Sequence, residues 1–506
     1  MLDKLKKLET FDLVAIICII LVCFAFTPIT FQNDTYYTIK VGERIVNEGI
    51  QPIDNFNIHK DLPYTYPHWL YDVGTYVLYS VGGLNILYLF TIFLASALGL
   101  LLYYTNYKLC KNRAISFFVV IITIYFMSAF ITARAQLITY IFFVLEIYFI
   151  EQFFRKNQNR YLIGLIICSI MIANLHVAVW PFFFILFLPY FVANIFQKPK
   201  HIFRGSKVVF EKYNNIIMLL ITFVICFACG LLTPLKLTPY TYLVLTMMGT
   251  TTKSINEHLP LIINSVTGVN MFACIAMYSL LLIFTGTKIK FKDILMLAGL
   301  ILLTFFSQRQ FSMLALIGSF IFARLLEKFC RFGPQKENMK NFEKNIGSKY
   351  KILAIIIITG IIVVPNVYKR RNHTYVDTID YPIQAADYIN QYMDKSKMRL
   401  YNEYNYGSYL IFKDIEVFID SRADLYDKKF NKKEDIFSDY ISTSNLSMYY
   451  EDTFEKYNIT HVMTTKSSKL KMMLTKDSDY KLVYNGDDNF VIYERTNRTI
   501  WYDIEE

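Results

Sequence analysis

Apolar runs recur along the first 370 positions, separated by polar stretches, and they give candidate membrane spans at 11–29, 84–104, 114–131, 137–154, 161–177, 180–196, 216–235, 268–285, 294–307, 311–327 and 352–368. A helix needs roughly 20 apolar residues to cross a bilayer's hydrocarbon. The pattern therefore predicts an α-helical polytopic membrane protein of about 11 transmembrane helices. From position 369 the pattern becomes that of a soluble segment. A helix over 382–394 is followed by a strand at MRLYNEY, a short helix YGSYLIF and a strand EVFID. Helices over 446–457 and 466–474 flank a strand ITHVMTT, and KLVYNGDDNFVIYER reads as a hairpin turned at Gly486-Asp487. This organisation gives a transmembrane domain over 1–368 and a C-terminal extracytoplasmic α/β domain over 369–506 with a partly parallel sheet.

The polar stretch over 30–83 interrupts the apolar pattern early and has a pattern of its own. In TYYTIKVGERIVNEG a helix runs to Gly49, a glycine C-terminal cap, and Asp34 stands at its start. A second helix opens near Pro67. Along it His68, Asp72, Thr75 and Tyr79 recur on one side, while Trp69, Leu70, Val73 and Val77 fill the other, as in a helix lying in the membrane interface. Pro52 and Asp54 between the two fit a turn.

Composition agrees with a membrane protein: 54% of the 506 residues are hydrophobic and 17% aromatic. The net charge of +11 would suit a nucleic-acid binder, but its distribution argues otherwise. Before residue 366, 25 Lys and Arg fall in the loops on one side and 7 on the other. That is the positive-inside bias of a multi-pass plasma-membrane protein, with a cytoplasmic N-terminus and an extracytoplasmic C-terminal domain. No nucleic acid partner is expected. The eight cysteines lie in apolar runs or internal loops, so disulfides are not expected, and Cys226-Phe-Ala-Cys229 lacks the setting of a redox or metal motif. Lys4, Lys6 and Lys7 precede the first run as in a signal peptide, but without a convincing cleavage site it reads as an uncleaved anchor.

The external ends of the spans collect the polar chemistry. Arg134 and Gln136, Asn174 and His176, Glu257 and His258, and Gln308-Arg309-Gln310 all fall there. Ionisable groups near hydrocarbon are costly, so their gathering on one side predicts a site at the outer membrane face. Glu146, near the middle of the fourth span, stands apart from that group.

Several motifs then carry a resemblance. An aspartate beyond the first span, a helix ending in G-x-x-P-x-D, the H-W-L helix closing with Gly-Gly, A-R-x-Q (Ala133 to Gln136), N-L-H (Asn174 to His176), I-N-E-H-L-P (Ile255 to Pro260), Y-G-S-Y-L (Tyr406 to Leu410) and F-I-D-S-R-A-D-L-Y (Phe418 to Tyr426) together resemble bacterial membrane proteins grouped with the GT-C glycosyltransferases. That superfamily includes the oligosaccharyltransferase catalytic subunits and the protein O-mannosyltransferases. The resemblance implies a bacterial cell-envelope enzyme in the lipid bilayer. It would transfer a hexosyl or pentosyl group from a polyprenyl-phosphate-sugar donor to an extracytoplasmic glycan, lipid or protein acceptor.

Such chemistry needs a carboxylate to take the acceptor's proton and cationic groups or a metal to stabilise the departing phosphate. The resemblance makes Asp34 the carboxylate, since it stands where these families keep an essential aspartate, although it also fits a helix N-cap. Asp54 and His68 join it as candidate catalytic residues, the first equally suited to an Asx turn. Asp72, Arg134, His176, Glu257, Arg309, Asp420 and Arg422 are candidate substrate-binding residues. Arg134 and Arg309 suit a phosphate or an interfacial snorkel. Ser254-Ile255-Asn256-Glu257 resembles the [ST]-[IV]-x-E element of oligosaccharyltransferases. Asp420, Arg422 and Asp424 follow a predicted strand end, where they either hold the domain onto the first loop or bind an acceptor sugar. The single Asp after Asn33 departs from the relatives' paired acidic motif, and the membrane-domain loops carry no D-x-D, which leaves a divalent metal (Mg or Mn) open as cofactor. Two other readings stay in view: a lipid-linked saccharide transporter, which would favour repeats and mid-membrane polar groups, and a non-catalytic envelope scaffold.

Overall fold

The computed structural model describes residues 10–196, 208–284, 287–332 and 348–496. In chain order the helices are α1 (Thr10–Phe26), α2 (Asn33–Glu48), α3 (Trp69–Cys110), α4 (Arg113–Met127), α5 (Ala135–Lys156), α6 (Arg160–Leu175), α7 (Trp180–Ile185), α8 (Leu188–Ile195), α9 (Ile216–Ala228), α10 (Thr238–Met248), α11 (Val266–Phe284), α12 (Phe291–Phe306), α13 (Phe311–Phe332) and α14 (Ser348–Lys369). They are followed by α15 (Ile383–Tyr392), α16 (Gly407–Phe412), α17 (Lys428–Asn431), α18 (Ile436–Asn445), α19 (Tyr450–Lys456) and α20 (Lys469–Leu474). Six described segments are long and apolar enough to cross a membrane: Trp69–Cys110, Arg113–Phe130, Ala135–Lys156, Val177–Ile195, Val266–Ile283 and Lys349–Lys369. Thr10–Phe26, Arg160–Leu175 and Ile216–Leu231 are apolar but shorter. The chain is a mostly helical, multi-pass membrane protein. Lys4, Lys6, Lys7 and parts of the basic loops expected over 197–215 and 324–351 lie outside the described residues.

The chain forms two compact units. The first comprises Met1–Ile29, Asn85–Leu243 and Ile255–Asn372. Within it α1 packs on α14, α5 on α6, and α4 on α13. Its outward faces are apolar: Ile217, Val224, Val269, Ile283, Ile361 and Val364 are all exposed. Lipid is the solvent such faces match. Polar groups are turned inward and paired. At one end of α5, α12 and α13, Glu151 accepts from Lys292, Tyr190 and Arg324, while Asp293 accepts from Lys292 at 3.0 Å and Arg324 at 2.7 Å. Two anions and two cations thus neutralise one another where a lone charge would be expelled. Glu146 lacks this arrangement. It is fully buried on α5, and neither carboxylate oxygen has a hydrogen-bond partner among the described residues.

The second unit comprises Thr30–Leu84, Val244–Ser254 and His373–Glu506. Its sheet runs in the order β3 (Leu400–Tyr401), β4 (His461–Thr465), β6 (Phe490–Arg495), β5 (Tyr480–Asn485), with β3 parallel to β4 and the other pairs antiparallel. The two short strands Val208–Val209 (β1) and Ile289–Lys290 (β2) pair in the first unit. The expected strand EVFID is instead a single parallel bridge, Asn57 to Val417. A side chain takes the neighbouring strand's place, for the amide of Asn402 accepts from Phe418 N at 2.8 Å and donates to Ile419 O at 2.7 Å. The helix expected over 446–457 begins only at Tyr450, because Leu446 takes a left-handed φ of 57° as the C-cap of α18.

Two polar helices of this unit meet through a glycine. A Cβ at Gly42 on α2 would stand 2.1 Å from the Asp72 carbonyl oxygen and 2.8 Å from Tyr76 Cβ on α3, so only glycine lets the two backbones approach this closely. Helix α2 ends at Gly49 with φ of 77°, its N–H bonded to Ile45 O at 2.9 Å, as its sequence predicts. Helix α3 starts at Trp69 rather than Pro67, after a left-handed turn at Tyr66, and breaks at Gly82 and Gly83, where Gly83 has φ of 61°. That break separates a short helix from the apolar run after it. The polar side of the short helix packs inward, with Asp72 and Thr75 buried, while Val77 and Val81 are exposed. An interfacial helix would present such valines to lipid.

Candidate functional site

The expected residues of the second unit form two neighbouring groups, and in the first unit Arg134, Glu257 and Arg309 form one, with His176 at the end of α6. In the second unit α2 supplies Asp34 and Tyr37, the turn before α3 supplies Thr65 and His68, and α3 supplies Asp72. Asp34 lies in the first turn of α2 and is half-buried. The N-cap is Gln32, so Asp34 is not the cap its position also suggested. The Asn33 amide beside it donates to Tyr404 O at 3.0 Å. His68 Nδ1 is 3.4 Å from Asp72 Oδ1, and its Nε2 is 3.5 Å from the Tyr37 hydroxyl. Burial by itself would hold the imidazole neutral, but the carboxylates of Asp72, Asp424 and Asp34 outweigh it and raise His68 above its ordinary pKa. Asp424 accepts from the Thr65 hydroxyl at 2.9 Å. Three carboxylates therefore act on one imidazole.

Beside them Asp54, Asp420 and Arg422 form a closed group. The guanidinium offers one edge to each carboxylate: Nη1 and Nη2 reach Asp54 at 2.5 and 3.2 Å, and Nε and Nη2 reach Asp420 at 2.9 and 2.8 Å. Phe56 N and the Asn57 amide also donate to Asp54, and Tyr426 donates to Asp420. The aromatic faces of Tyr64 and Phe56 lie 5.0 and 5.4 Å from the guanidinium carbon. Side chains of Asp54, Asp420 and Arg422 are 0 to 1% exposed. Asp54, expected among the catalytic residues, has its oxygens taken up by four donors, and this arrangement suits a clasp better than a proton acceptor. His59 strengthens the clasp, with Nε2 2.7 Å from Phe418 O. Burial brings its pKa down to about 4 against the pull of that carbonyl.

In the first unit Arg134 and Arg309 meet over one carboxylate. Arg134 Nη1 donates to Glu257 Oε1 at 2.9 Å, and Arg309 Nη1 lies 3.6 Å from Glu257 Oε2. Arg309 also donates to Gln136 at 2.9 Å, and the Gln136 amide donates to Tyr140. Local structure delivers each residue: Arg134 is the N-cap of α5, Glu257 sits in the turn Asn256–His258, and Arg309 lies in the turn Gln308–Gln310. Burial would raise the Glu257 carboxyl, yet the two guanidinium groups reverse that and bring it to about 2. Burial and Arg309 lower His258 to about 4, so it is neutral at physiological pH. His176 is the buried C-cap of α6, and the neighbouring Asn174 amide donates to Leu232 O at 3.0 Å.

Thr65, Tyr37 and His59 were not separable from structural residues in the sequence. Asp424 had one signal, its place in D-S-R-A-D, but nothing joined it to His68. Among the described residues no three His, Cys, Asp or Glu side chains are arranged to hold a metal ion.

No family model matches the chain, and no curated protein matches it. Solved structures do. The Archaeoglobus fulgidus oligosaccharyltransferase tethered with an acceptor peptide aligns with 12% identity and TM-score 0.56, over 91% of this chain and 69% of that chain. The archaeal oligosaccharyltransferase AglB from the same organism, in complex with an inhibitory peptide and a dolichol-phosphate, aligns with 11% identity and TM-score 0.58, over 95% and 74%. ArnT from Cupriavidus metallidurans bound to undecaprenyl phosphate aligns with 10% identity and TM-score 0.51, over 96% and 97%. At these identities the likeness is one of fold, and the fold is GT-C-like.

Proposed function

We propose that this chain is a membrane glycosyltransferase that moves a sugar from a polyprenyl-phosphate-linked donor to an acceptor on the extracytoplasmic face of the plasma membrane. The observation that carries the reading is the arginine pair of the helical unit. Arg134 and Arg309 both address one anion, within a fold shared by structures that hold dolichol-phosphate and undecaprenyl phosphate. Eleven crossings, with the N-terminus cytoplasmic, accord with the charge bias of the loops.

In this reading the acceptor's O–H or N–H bond breaks and the proton passes to the Asp34 carboxylate. The acceptor atom then bonds the sugar's anomeric carbon, and the anomeric carbon–oxygen bond to phosphate breaks, leaving its electron pair on the phosphate. Arg134 and Arg309, with His176, stabilise the charge that develops there. His68, whose pKa Asp72, Asp424 and Asp34 raise against its burial, stands with Asp34 on this side of the reaction. Asp54, Asp420 and Arg422 hold the first loop, and with it α2, in place.

The test is transfer of radiolabelled sugar by the purified protein from a panel of polyprenyl-phosphate sugars to envelope glycan, lipid and peptide acceptors. A labelled covalent product supports the reading. Passage of the lipid-linked sugar across proteoliposomes with no product would replace it with a transporter, and neither product nor passage, with stable co-purification of envelope proteins, with a scaffold.

A further inference from the structure

Glu257 occupies the place on Arg134 and Arg309 that a phosphate would take. Its two oxygens face two different guanidinium groups, at 2.9 and 3.6 Å, so the arginine pair already addresses an anion from its own chain. The exposures are unequal: the two arginine side chains are 23% and 22% exposed and the Glu257 side chain 46%. The cations are thus sheltered and fixed, Arg309 also by Gln136, while the anion borders solvent. The backbone beneath Glu257 is separately anchored. Gln308 N donates to Leu259 O at 3.1 Å, the Gln308 amide donates to Asn256 O, and the Ser307 hydroxyl donates to Glu257 O at 3.3 Å. The side chain can therefore swing away without moving the turn that carries it.

We infer that Glu257 is a displaceable stopper of the phosphate site: a lipid phosphate must evict its carboxylate from Arg134 and Arg309 to bind, and the carboxylate returns when the phosphate leaves. The inference rests on the proposed donor-binding role of the arginine pair. Physically it follows from charge. Two guanidinium groups and one carboxylate leave the site with a single net positive charge, since His258 is neutral. A phosphate brings more negative charge and more acceptor oxygens than a carboxylate, so it wins the pair. Glu257 borders solvent, so water hydrates its carboxylate as the phosphate takes its place on the arginines. The stopper keeps the arginine pair from capturing stray anions and weakens product retention.

The experiment measures binding of farnesyl phosphate to the purified full chain in detergent, with inorganic phosphate as a second arm. Four variants are compared with the unsubstituted chain: Glu257→Gln, Glu257→Asp, Arg134→Gln and Arg309→Gln. Melting curves first establish that each is folded, and a variant that is not folded is replaced by Glu257→Ala or Arg309→Lys. Glu257→Gln removes the competing charge, and Glu257→Asp keeps it but shortens the reach, so both are expected to tighten farnesyl phosphate binding by about three- to fivefold. Tighter binding of farnesyl phosphate alone identifies a lipid-phosphate site, and equal tightening with inorganic phosphate identifies a general phosphate site with the same stopper. If Glu257→Gln tightens binding while Glu257→Asp matches the unsubstituted chain, the carboxylate is only background charge and the inference is overturned. Weaker binding by Glu257→Gln overturns it too, making Glu257 a support for the arginines. If both arginine variants bind normally, the donor-site reading itself fails, a result separable from the other two.

Discussion

The guanidinium of Arg422 donates to both carboxylate oxygens of Asp54, at 2.5 and 3.2 Å, across 368 positions of sequence. The first polar loop is therefore tied to the C-terminal segment by a buried charge, and the loop's backbone follows, with Ile58 N bonded to Val417 O at 3.0 Å. A buried guanidinium between two carboxylates is held by their geometry as much as by their charge. Arg422→Ala leaves two buried carboxylates facing each other and is expected to destabilise this unit by about 3–5 kcal/mol. Arg422→Lys keeps the charge without the two-edged fork and should recover only a small part. Thermal unfolding in detergent, followed by circular dichroism, checks both, and a loss below about 1 kcal/mol for Arg422→Ala would mean the clasp is incidental.

Acid should loosen the same clasp through His59. Burial lowers this histidine to about 4 against the Phe418 carbonyl, with Arg399 adding to the depression and Glu434 and Asp54 opposing it. The unfolded chain binds the proton near pH 6.5, well before the folded chain does, so stability is full above that pH and is lost as pH falls towards 4. Hydrogen exchange of residues 51–64 should accelerate between pH 7.5 and 5, and His59→Gln should flatten that dependence. An exchange rate that His59→Gln leaves equally pH-sensitive, after correction for intrinsic chemistry, would assign the effect elsewhere.

Glu146 is the costly residue of the helical unit, buried with both oxygens unpartnered. Glu146→Met is expected to leave stability unchanged or raise it by about 1–3 kcal/mol, because it removes an unsatisfied polar group from the interior, and Glu146→Gln, which keeps a polar amide there, should gain less. The melting temperature in detergent reads this directly. A drop for both variants would show that the carboxylate has a structural role.

The helices were legible in sequence because hydrophobic periodicity is a local property. The cap at Gly49 and the break that closes at Gly83 were legible because their φ values of 77° and 61° suit glycine. Long-range substitution was not legible. Nothing near 415–419 announced that the Asn402 amide would stand in for a neighbouring strand, so the predicted strand became a bridge. Arg134 and Arg309 stood out in the sequence because cations at helix ends near hydrocarbon are conspicuous, and the structure sets both against Glu257. Asp54 and Asp34 looked alike in sequence, and only the partners of each distinguish a carboxylate used up by four donors from one half-buried beside an imidazole. Thr65 was missed, and Asp424 was named without its partner, because their meeting joins residues 359 positions apart.

If Asp34 takes the acceptor's proton, its replacement must slow the chemical step itself, and single-turnover transfer from a labelled polyprenyl-phosphate sugar by Asp34→Asn reads that step. The expected rate is lower by about 100-fold or more, with donor binding unchanged and partial recovery in Asp34→Glu. Transfer by a folded Asp34→Asn within about twofold of the unsubstituted chain would contradict it.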